Sequence, residues 1–384
     1  MTKYAEITGW GKYLPSKVVT NDDLAQTVDT SDEWIVSHTG IRERRVVQAG
    51  ETTVSMAVAA ASEALLVAEV RPRDVDLIIV CTHTPDYHLP GAAPMVQDRL
   101  GASRAAAFDL RAGCPGFVYG LAIGTQFITT GMYRRVLVIG SEITSQFVNW
   151  QDRRTCVLFG DGAAAVVLEA TERPTGVLSF SMRTKGTDYD ALIYRGAGCV
   201  HPLSAEPLAD HLRYLEMDGQ RIMRFAARAV VPAIRDQLAC SGLSKSDIAL
   251  VIPQQSNRRF IEWIADKLGF PREKVFVNVD RYANTSSSSV AIALCEAFEE
   301  GRIRDGDNVL LISFGAGLGW ATSLVRYGVS EQEAPLVLDL SSRRLRFVEE
   351  LRSRAEAIAT SAEAGVTAVM NLAMLPFLSR GKKK

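Results

Sequence analysis

The sequence predicts an α/β fold, and three observations carry that prediction: apolar runs that do not alternate with polar residues, helix-forming stretches between them, and a segment order that repeats in the second half. The runs are VDLIIVCTHT (75–84), RRVLVIGSE (134–142), IALVIPQQS (248–256) and DNVLLISFG (307–315). A strand covered by helices on both faces has no solvent side, so its side chains need not alternate.

The helix-like stretches are SMAVAAASEALLVAEV (55–70), GFVYGLAIGTQFITTG (116–131) and SVAIALCEAFEEG (289–301). Their Ala, Leu and Glu content favours helix, and a closing Gly stops the last two. The repeat is one of spacing. Ile78 to Cys114 is 36 residues and Leu250 to Asn284 is 34; Cys114 to Leu137 is 23 and Asn284 to Leu310 is 26. FGDGAAAVVLEA (159–170) also matches FGAGLGWATSLV (314–325), each a glycine turn entering a β-like run. The chain thus divides into halves at 1–175 and 176–328, with an extension at 329–384. Two halves packed about a pseudo-two-fold axis bring equivalent strand ends together, and ligands of α/β sheets bind at such ends. Cys114, Asn284 and Gln254 are expected to converge there.

Composition narrows the function. At 384 residues, 47% apolar, the chain can bury a large core, and its net charge of −1 is spread without a basic face for nucleic acid. No segment reaches the roughly 20 apolar residues that span a bilayer, and no leader-like run opens the chain, so a soluble cytoplasmic protein is expected. The six cysteines (81, 114, 156, 199, 240, 295) lie far apart, which argues against disulfides and zinc.

The segment FDLRAGCPGFVYGLAIG sets Cys114 directly before a helix, where the positive end of the dipole favours thiolate, and Gly113 and Gly116 allow a sharp turn. Cys114 is the leading nucleophile candidate, although a buried structural cysteine fits the same local pattern. The other five cysteines read as packing residues. In VNVDRYANTSSSSVAIALCEAF the serines read as caps and small packing residues, and Asn284 as the position with chemistry.

Six motifs carry a resemblance over residues 1 to about 328: TSDEWIVSHTGIRER (30–44), AGCPGF (112–117), FGDGAA (159–164), PQQSN (253–257), NTSSSSV (284–290) and FGAGLGWATSLVR (314–326). The chain resembles the β-ketoacyl-ACP synthase III family of thiolase-fold condensing enzymes. The resemblance implies a five-layered αβαβα body from two pseudo-symmetric halves, a homodimer, no permanently bound cofactor, and CoA or phosphopantetheine thioesters as substrates delivered by acyl-CoA or an acyl carrier protein. It implies that Cys114 accepts the acyl group, that Asn284 binds the second substrate's thioester carbonyl, and that the N–H of Ala316 joins that of Cys114 in an oxyanion hole. It further implies that Trp34 and Arg153 flank the adenine of CoA, that Phe159 and Asn257 contact the pantetheine arm, that Arg224 and Arg259 dock the carrier protein, and that Leu89 bounds the acyl pocket across the dimer.

One departure matters most. The family's PHQAN is PQQSN here, so its active-site His is Gln254, which can donate an amide N–H but cannot relay a proton. Loss of such a group slows a step by about 10² to 10⁴-fold. His38 also stands where an Arg helps hold CoA phosphate. The expected activity is therefore loading of Cys114 and transfer to an acceptor without ordinary malonyl decarboxylation, in polyketide- or fatty-acid-derived specialised metabolism. A decarboxylating synthase helped by His83 or His38, and a non-catalytic partner subunit, are the alternatives. In the tail, LSSRRLRFVEELRSRAEAIATSAEAG reads as an amphipathic helix packed on the body or across a dimer, with contact to a membrane surface as the rival reading.

Overall fold

All four apolar runs are strands, and they lie inside two sheets. The computed structural model describes residues 3–202, 209 and 212–328; the helical extension expected over 329–384 lies outside them. The first half runs β1 (Tyr4–Tyr13), β2 (Val18–Thr20), α1 (Asn21–Ala25), α2 (Asp32–Thr39), β3 (Glu43–Arg45), α3 (Thr53–Val67), β4 (Leu77–Cys81) and α4 (Ala92–Leu100). It continues with β5 (Ala106–Leu110), α5 (Gly116–Thr129), β6 (Arg135–Ile143) and β7 (Asp161–Thr171). The second half runs β8 (Gly176–Thr184), β9 (Leu192–Tyr194), β10 (Leu215–Met217), α6 (Gly219–Phe225), α7 (Val231–Ser241) and β11 (Ile248–Pro253). It ends with α8 (Arg258–Leu268), α9 (Val279–Tyr282), α10 (Ser289–Glu299), β12 (Asn308–Gly315) and β13 (Gly319–Arg326).

The sheets have orders β1-β7-β6-β4-β5 and β11-β12-β13-β8. Their pairings correspond. β4 is parallel to β6 and β6 antiparallel to β7, as β11 is parallel to β12 and β12 antiparallel to β13. β1 closes the first sheet on β7 as β8 closes the second on β13, both antiparallel. The strand β5, parallel to β4, has a reduced counterpart: a single parallel bridge between Val251 and Val275, with the Phe276 N–H on the Val251 carbonyl at 2.9 Å. The spacing repeat in the sequence is this structural repeat.

Helices α5 and α10 touch strands of both sheets and form the layer between them. Their sequences dictate this place, because a helix apolar on every side is stable only when covered on every side. In α10 every residue from Ser289 to Phe298 is buried. Its charged member, Glu296, is satisfied by Arg281 at 2.8 Å, the Tyr282 hydroxyl at 2.7 Å and Asn278 Nδ2 at 2.9 Å. Helices α3 and α4 cover the outer face of the first sheet, and α7 and α8 pack with Leu310, Ile312 and Leu324 of the second. The result is five layers, α-β-α-β-α. Among the described residues no helix is long and apolar enough to cross a membrane, and no group of three or more His, Cys, Asp or Glu side chains could hold a metal ion. All six cysteines are free.

The two central helices start beside each other: a Cβ added at Gly116, the first residue of α5, would lie 3.5 Å from the Cβ of Ser287 in the turn leading into α10. The segments before those starts carry Cys114 and Asn284.

Candidate active site

Cys114 follows β5 through a turn in which Gly113 takes φ +62°, a left-handed conformation that glycine adopts without steric penalty. The end of β12 closes over it so tightly that a Cβ at Gly315 would sit 2.8 Å from Sγ. The thiol is 6% exposed and faces a cavity of about 390 Å3 that is also lined by Asn284, Phe159, Phe314, Asn257 and Arg259.

Burial pushes the Cys114 thiol up to about 11, against the hydrogen bond from Ser286 and the N–H groups of Ala316 and Cys114 itself, which pull it down. The negative field of Glu142 pushes in the same direction as burial. This corrects the expectation that the helix end would dominate: desolvation of the sulfur outweighs the dipole, and the resting group is a thiol. Ala316 has a negative φ, so its Cβ is accommodated and its N–H still reaches the sulfur.

Asn284 is held from both sides. Its N–H donates to the Leu158 carbonyl at 2.9 Å, and its own carbonyl accepts the Gly160 N–H at 3.1 Å. Ala283 and Ser286 around it both have positive φ (+55° and +56°), backbone strain of the kind stored at functional sites. The side-chain Oδ1 accepts the Ser286 N–H at 2.9 Å and Gln254 Nε2 at 3.0 Å. A backbone N–H can pair only with the oxygen of the amide, so Nδ2 is the atom left for a ligand.

Gln254 continues the strand pairing beyond β11, its N–H on the Ile312 carbonyl at 2.7 Å, and is 1% exposed. Both protons of its amide are committed, one to Asn284 Oδ1 and one to the Ser286 carbonyl at 2.9 Å. Its Oε1 accepts the Ser313 hydroxyl at 2.7 Å. Gln254 does not line the cavity. The geometry runs against the expectation that this amide donates to a substrate carbonyl: Gln254 holds its neighbours instead. Gln255 is wholly structural, bonded to the Pro253 and Phe276 carbonyls and to the N–H groups of Asn278 and Val279.

The outer positions divide. Asn257 caps α8, accepts the Phe260 N–H and sends Nδ2 to the His38 carbonyl at 3.1 Å. Trp34 and Arg153 lie against each other, the guanidinium 5.0 Å from the indole centroid, with His38 stacked on Trp34 at 4.4 Å. An aromatic base enters between Trp34 and Arg153 only if Arg153 swings away. Neither lines the cavity, whereas His38 does. Arg224 is exposed on α6, and Leu89 is 90% exposed on the loop before α4.

Sequence reasoning missed the serines. Ser286 Oγ lies 3.4 Å from Cys114 Sγ, and Ser313 Oγ is 3.1 Å from the Cys114 carbonyl. It also missed Glu142, a fully buried carboxylate that accepts Ser287 Oγ at 2.8 Å and Thr84 Oγ1 at 2.8 Å. His83 Nδ1 stands 2.7 Å from Glu142 Oε1, off the in-line hydrogen-bond direction. Burial raises the Glu142 carboxyl, but His83 and the hydroxyls hold it below the usual range, so it is charged. His83 is thus tied to a buried anion. The signal for Glu142 was a lone acid within an apolar strand.

Two family models match the chain: 3-oxoacyl-[acyl-carrier-protein] synthase III at residues 108–186 and the C-terminal domain of the same enzyme at 238–327. The β-ketoacyl-[acyl-carrier-protein] synthase III of Caldanaerobacter subterraneus subsp. tengcongensis is 47% identical over 323 residues, covering 84% of this chain and 98% of its own. Among solved structures, 3-oxoacyl-[acyl-carrier-protein] synthase III from Aquifex aeolicus superposes with a TM-score of 0.78 at 44% identity, over 84% of this chain and 100% of that one. The priming β-ketosynthase of the R1128 polyketide pathway superposes with a TM-score of 0.80 at 34% identity, over 85% and 97%.

Proposed function

Because the chain belongs to the β-ketoacyl-ACP synthase III family and is an acyltransferase of that condensing type, we propose that it loads an acyl group onto Cys114 and joins it to a malonyl-type thioester with loss of CO2. The observation that carries this reading is that Cys114 and the unspent Nδ2 of Asn284 share one cavity. That the near full-length relatives are named as synthases supports decarboxylative condensation over the transfer to other acceptors that the sequence alone favoured.

In the first half-reaction Sγ attacks the carbonyl of an acyl-CoA or acyl-carrier thioester, and the thiol proton leaves with the departing thiol. The N–H groups of Cys114 and Ala316, both hydrogen-bonded to the sulfur, support an oxyanion hole beside it. In the second, the malonyl carboxylate departs as CO2 and its electron pair moves into an enolate, whose oxygen accepts a hydrogen bond from Asn284 Nδ2. The enolate carbon attacks the acyl carbonyl, the C–S bond breaks to leave the Cys114 thiolate, and that thiolate takes a proton from solvent. Neither step needs a proton from residue 254. What Gln254 withholds is a second hydrogen bond to the enolate oxygen, an effect of about 10² to 10³-fold by analogy with a lost oxyanion donor.

The same observation supports a second reading, transfer to a hydroxyl, amine or thiol, since a site with one enolate donor is poorly suited to decarboxylation. The test supplies acyl-loaded protein with malonyl-carrier protein and with a panel of alcohols, amines and thiols. CO2 release matched by a β-ketoacyl product supports condensation; acyl transfer to a panel member with no CO2 overturns it. The positive charges of Arg259 and Arg224 suit an acidic carrier protein, and the exposure of Leu89 and of Tyr87 at 60% supports a homodimer in which that loop meets the partner.

A further inference from the structure

We propose that the Ser286 hydroxyl is the hydrogen-bond partner of the Cys114 sulfur, and that Gln254 is the positioning residue that holds Ser286 in place to serve it. The inference rests on Cys114 being the nucleophile.

Cys114, Ser286, Gln254 and Ser313 close a ring of uncharged groups. Cys114 Sγ meets Ser286 Oγ at 3.4 Å; the Ser286 carbonyl accepts Gln254 Nε2 at 2.9 Å; Gln254 Oε1 accepts Ser313 Oγ at 2.7 Å; and Ser313 Oγ returns to the Cys114 carbonyl at 3.1 Å. Ser286, Gln254 and Ser313 are each no more than 1% exposed. Asn284 Oδ1 binds the Ser286 N–H from outside the ring.

Two features single out Ser286 as the working member. Its φ of +56° is a conformation in which a side-chain-bearing residue is strained, and both of its peptide groups are gripped, the N–H by Asn284 and the carbonyl by Gln254. Without those grips the residue would relax and carry its hydroxyl away from the sulfur. Second, among the described residues the charge that acts most strongly on the sulfur is an anion. The charged group whose field reaches it is Glu142, of the wrong sign, with His83 spent on that same carboxylate. Stabilisation of a thiolate in this pocket therefore comes from neutral donors, and the Ser286 hydroxyl is the side-chain donor on the sulfur.

The identity of residue 254 follows from the same geometry. An amide NH2 sends two protons from one nitrogen to two acceptors, here Asn284 Oδ1 and the Ser286 carbonyl. A neutral imidazole carries a single N–H, and even when protonated it has one proton on each of two separated nitrogens, so it cannot make both bonds from one atom. Gln254 gives up a proton-carrying group and gains a double grip on the segment that serves the nucleophile.

The test is alkylation of the full chain by iodoacetamide across pH 7 to 10, read by mass on the Cys114 peptide, so that the exposed Cys199 and Cys240 do not interfere. In this reaction the S–C bond forms, iodide leaves and the thiol proton goes to solvent. S286A is expected to slow alkylation of Cys114 about ten-fold at pH 8 and move its pH dependence up by about one unit, the size of one lost hydrogen bond to an anion. S286G relieves the positive φ and so protects the fold, yet lacks the hydroxyl; it should slow alkylation equally. Q254M keeps length without hydrogen bonds and should shift the profile in the same direction. Alkylation of S286G unchanged from the parent protein at every pH would overturn the role of the hydroxyl, and a normal profile for Q254M would overturn that of Gln254. Alkylation needs no acyl donor, so a Ser286-dependent profile in a protein that accepts no acyl group would support this inference while refuting the proposed activity.

Discussion

Cys114 and Asn284 occupy equivalent places in the two halves, each delivered by the segment that precedes a central helix; spacing put them at matching positions, while their roles were implied by the family resemblance. The PQQSN motif drew attention to Gln254 but did not disclose its action. The direction of an amide depends on acceptors supplied from afar, here Ser286, 32 residues away, and Ser313, 59 away. Ser286 was hidden for a similar reason: a serine before a helix reads as a cap, and nothing local announces a positive φ. The Cys114 thiol also rose where its helix position argued for a fall, because burial is a tertiary property. At this scale Gln254→His is a two-sided test. A histidine there can offer the enolate a hydrogen bond but loosens Ser286, so CO2 release from malonyl-carrier protein should rise by about 10²-fold while alkylation of Cys114 slows. Both rates moving together would contradict the division of labour between residue 254 and Ser286.

Among elements, α5 and α10 do most to place the site, and their all-round apolar character predicted that they would be covered. The interior strands announced themselves by continuous apolar runs, whereas β1 and β8 did not: each closes a sheet, and each mixes buried and partly exposed positions. The counterpart of β5 was illegible as a strand because it is one bridge at Val275. If α10 holds the Asn284–Ser286 segment by packing, Ile292, 1% exposed, is a sensitive point. Ile292→Ala should lower unfolding free energy by about 2–5 kcal/mol, read from the urea midpoint. A loss below about 0.5 kcal/mol, typical of a surface substitution, would mean that α10 is not the rigid support described.

At the largest scale, the described residues form a five-layered body whose duplicated halves meet where the candidate nucleophile and the candidate enolate-binding amide face one cavity. The apolar runs and the spacing repeat pointed to an α/β body of two halves, and the five layers were what the resemblance carried by six short motifs implied. Assembly as a homodimer was an implication of the resemblance and not of composition or spacing, because an interface depends on a surface that only the folded chain displays. With Leu89 90% exposed, Leu89→Glu should convert a dimer to the 41.9 kDa chain in light-scattering mass measurements, with little change in the stability of the single chain. A dimer unaffected by that charge would place the interface elsewhere.

The account stands most directly on Cys114 as the acyl carrier. Intact mass should show one acyl group added from a cognate acyl-CoA or acyl-carrier thioester, mapped to the Cys114 peptide, absent in Cys114→Ala, and discharged when malonyl-carrier protein is added. No adduct with any donor, or the same adduct on Cys114→Ala, would contradict it.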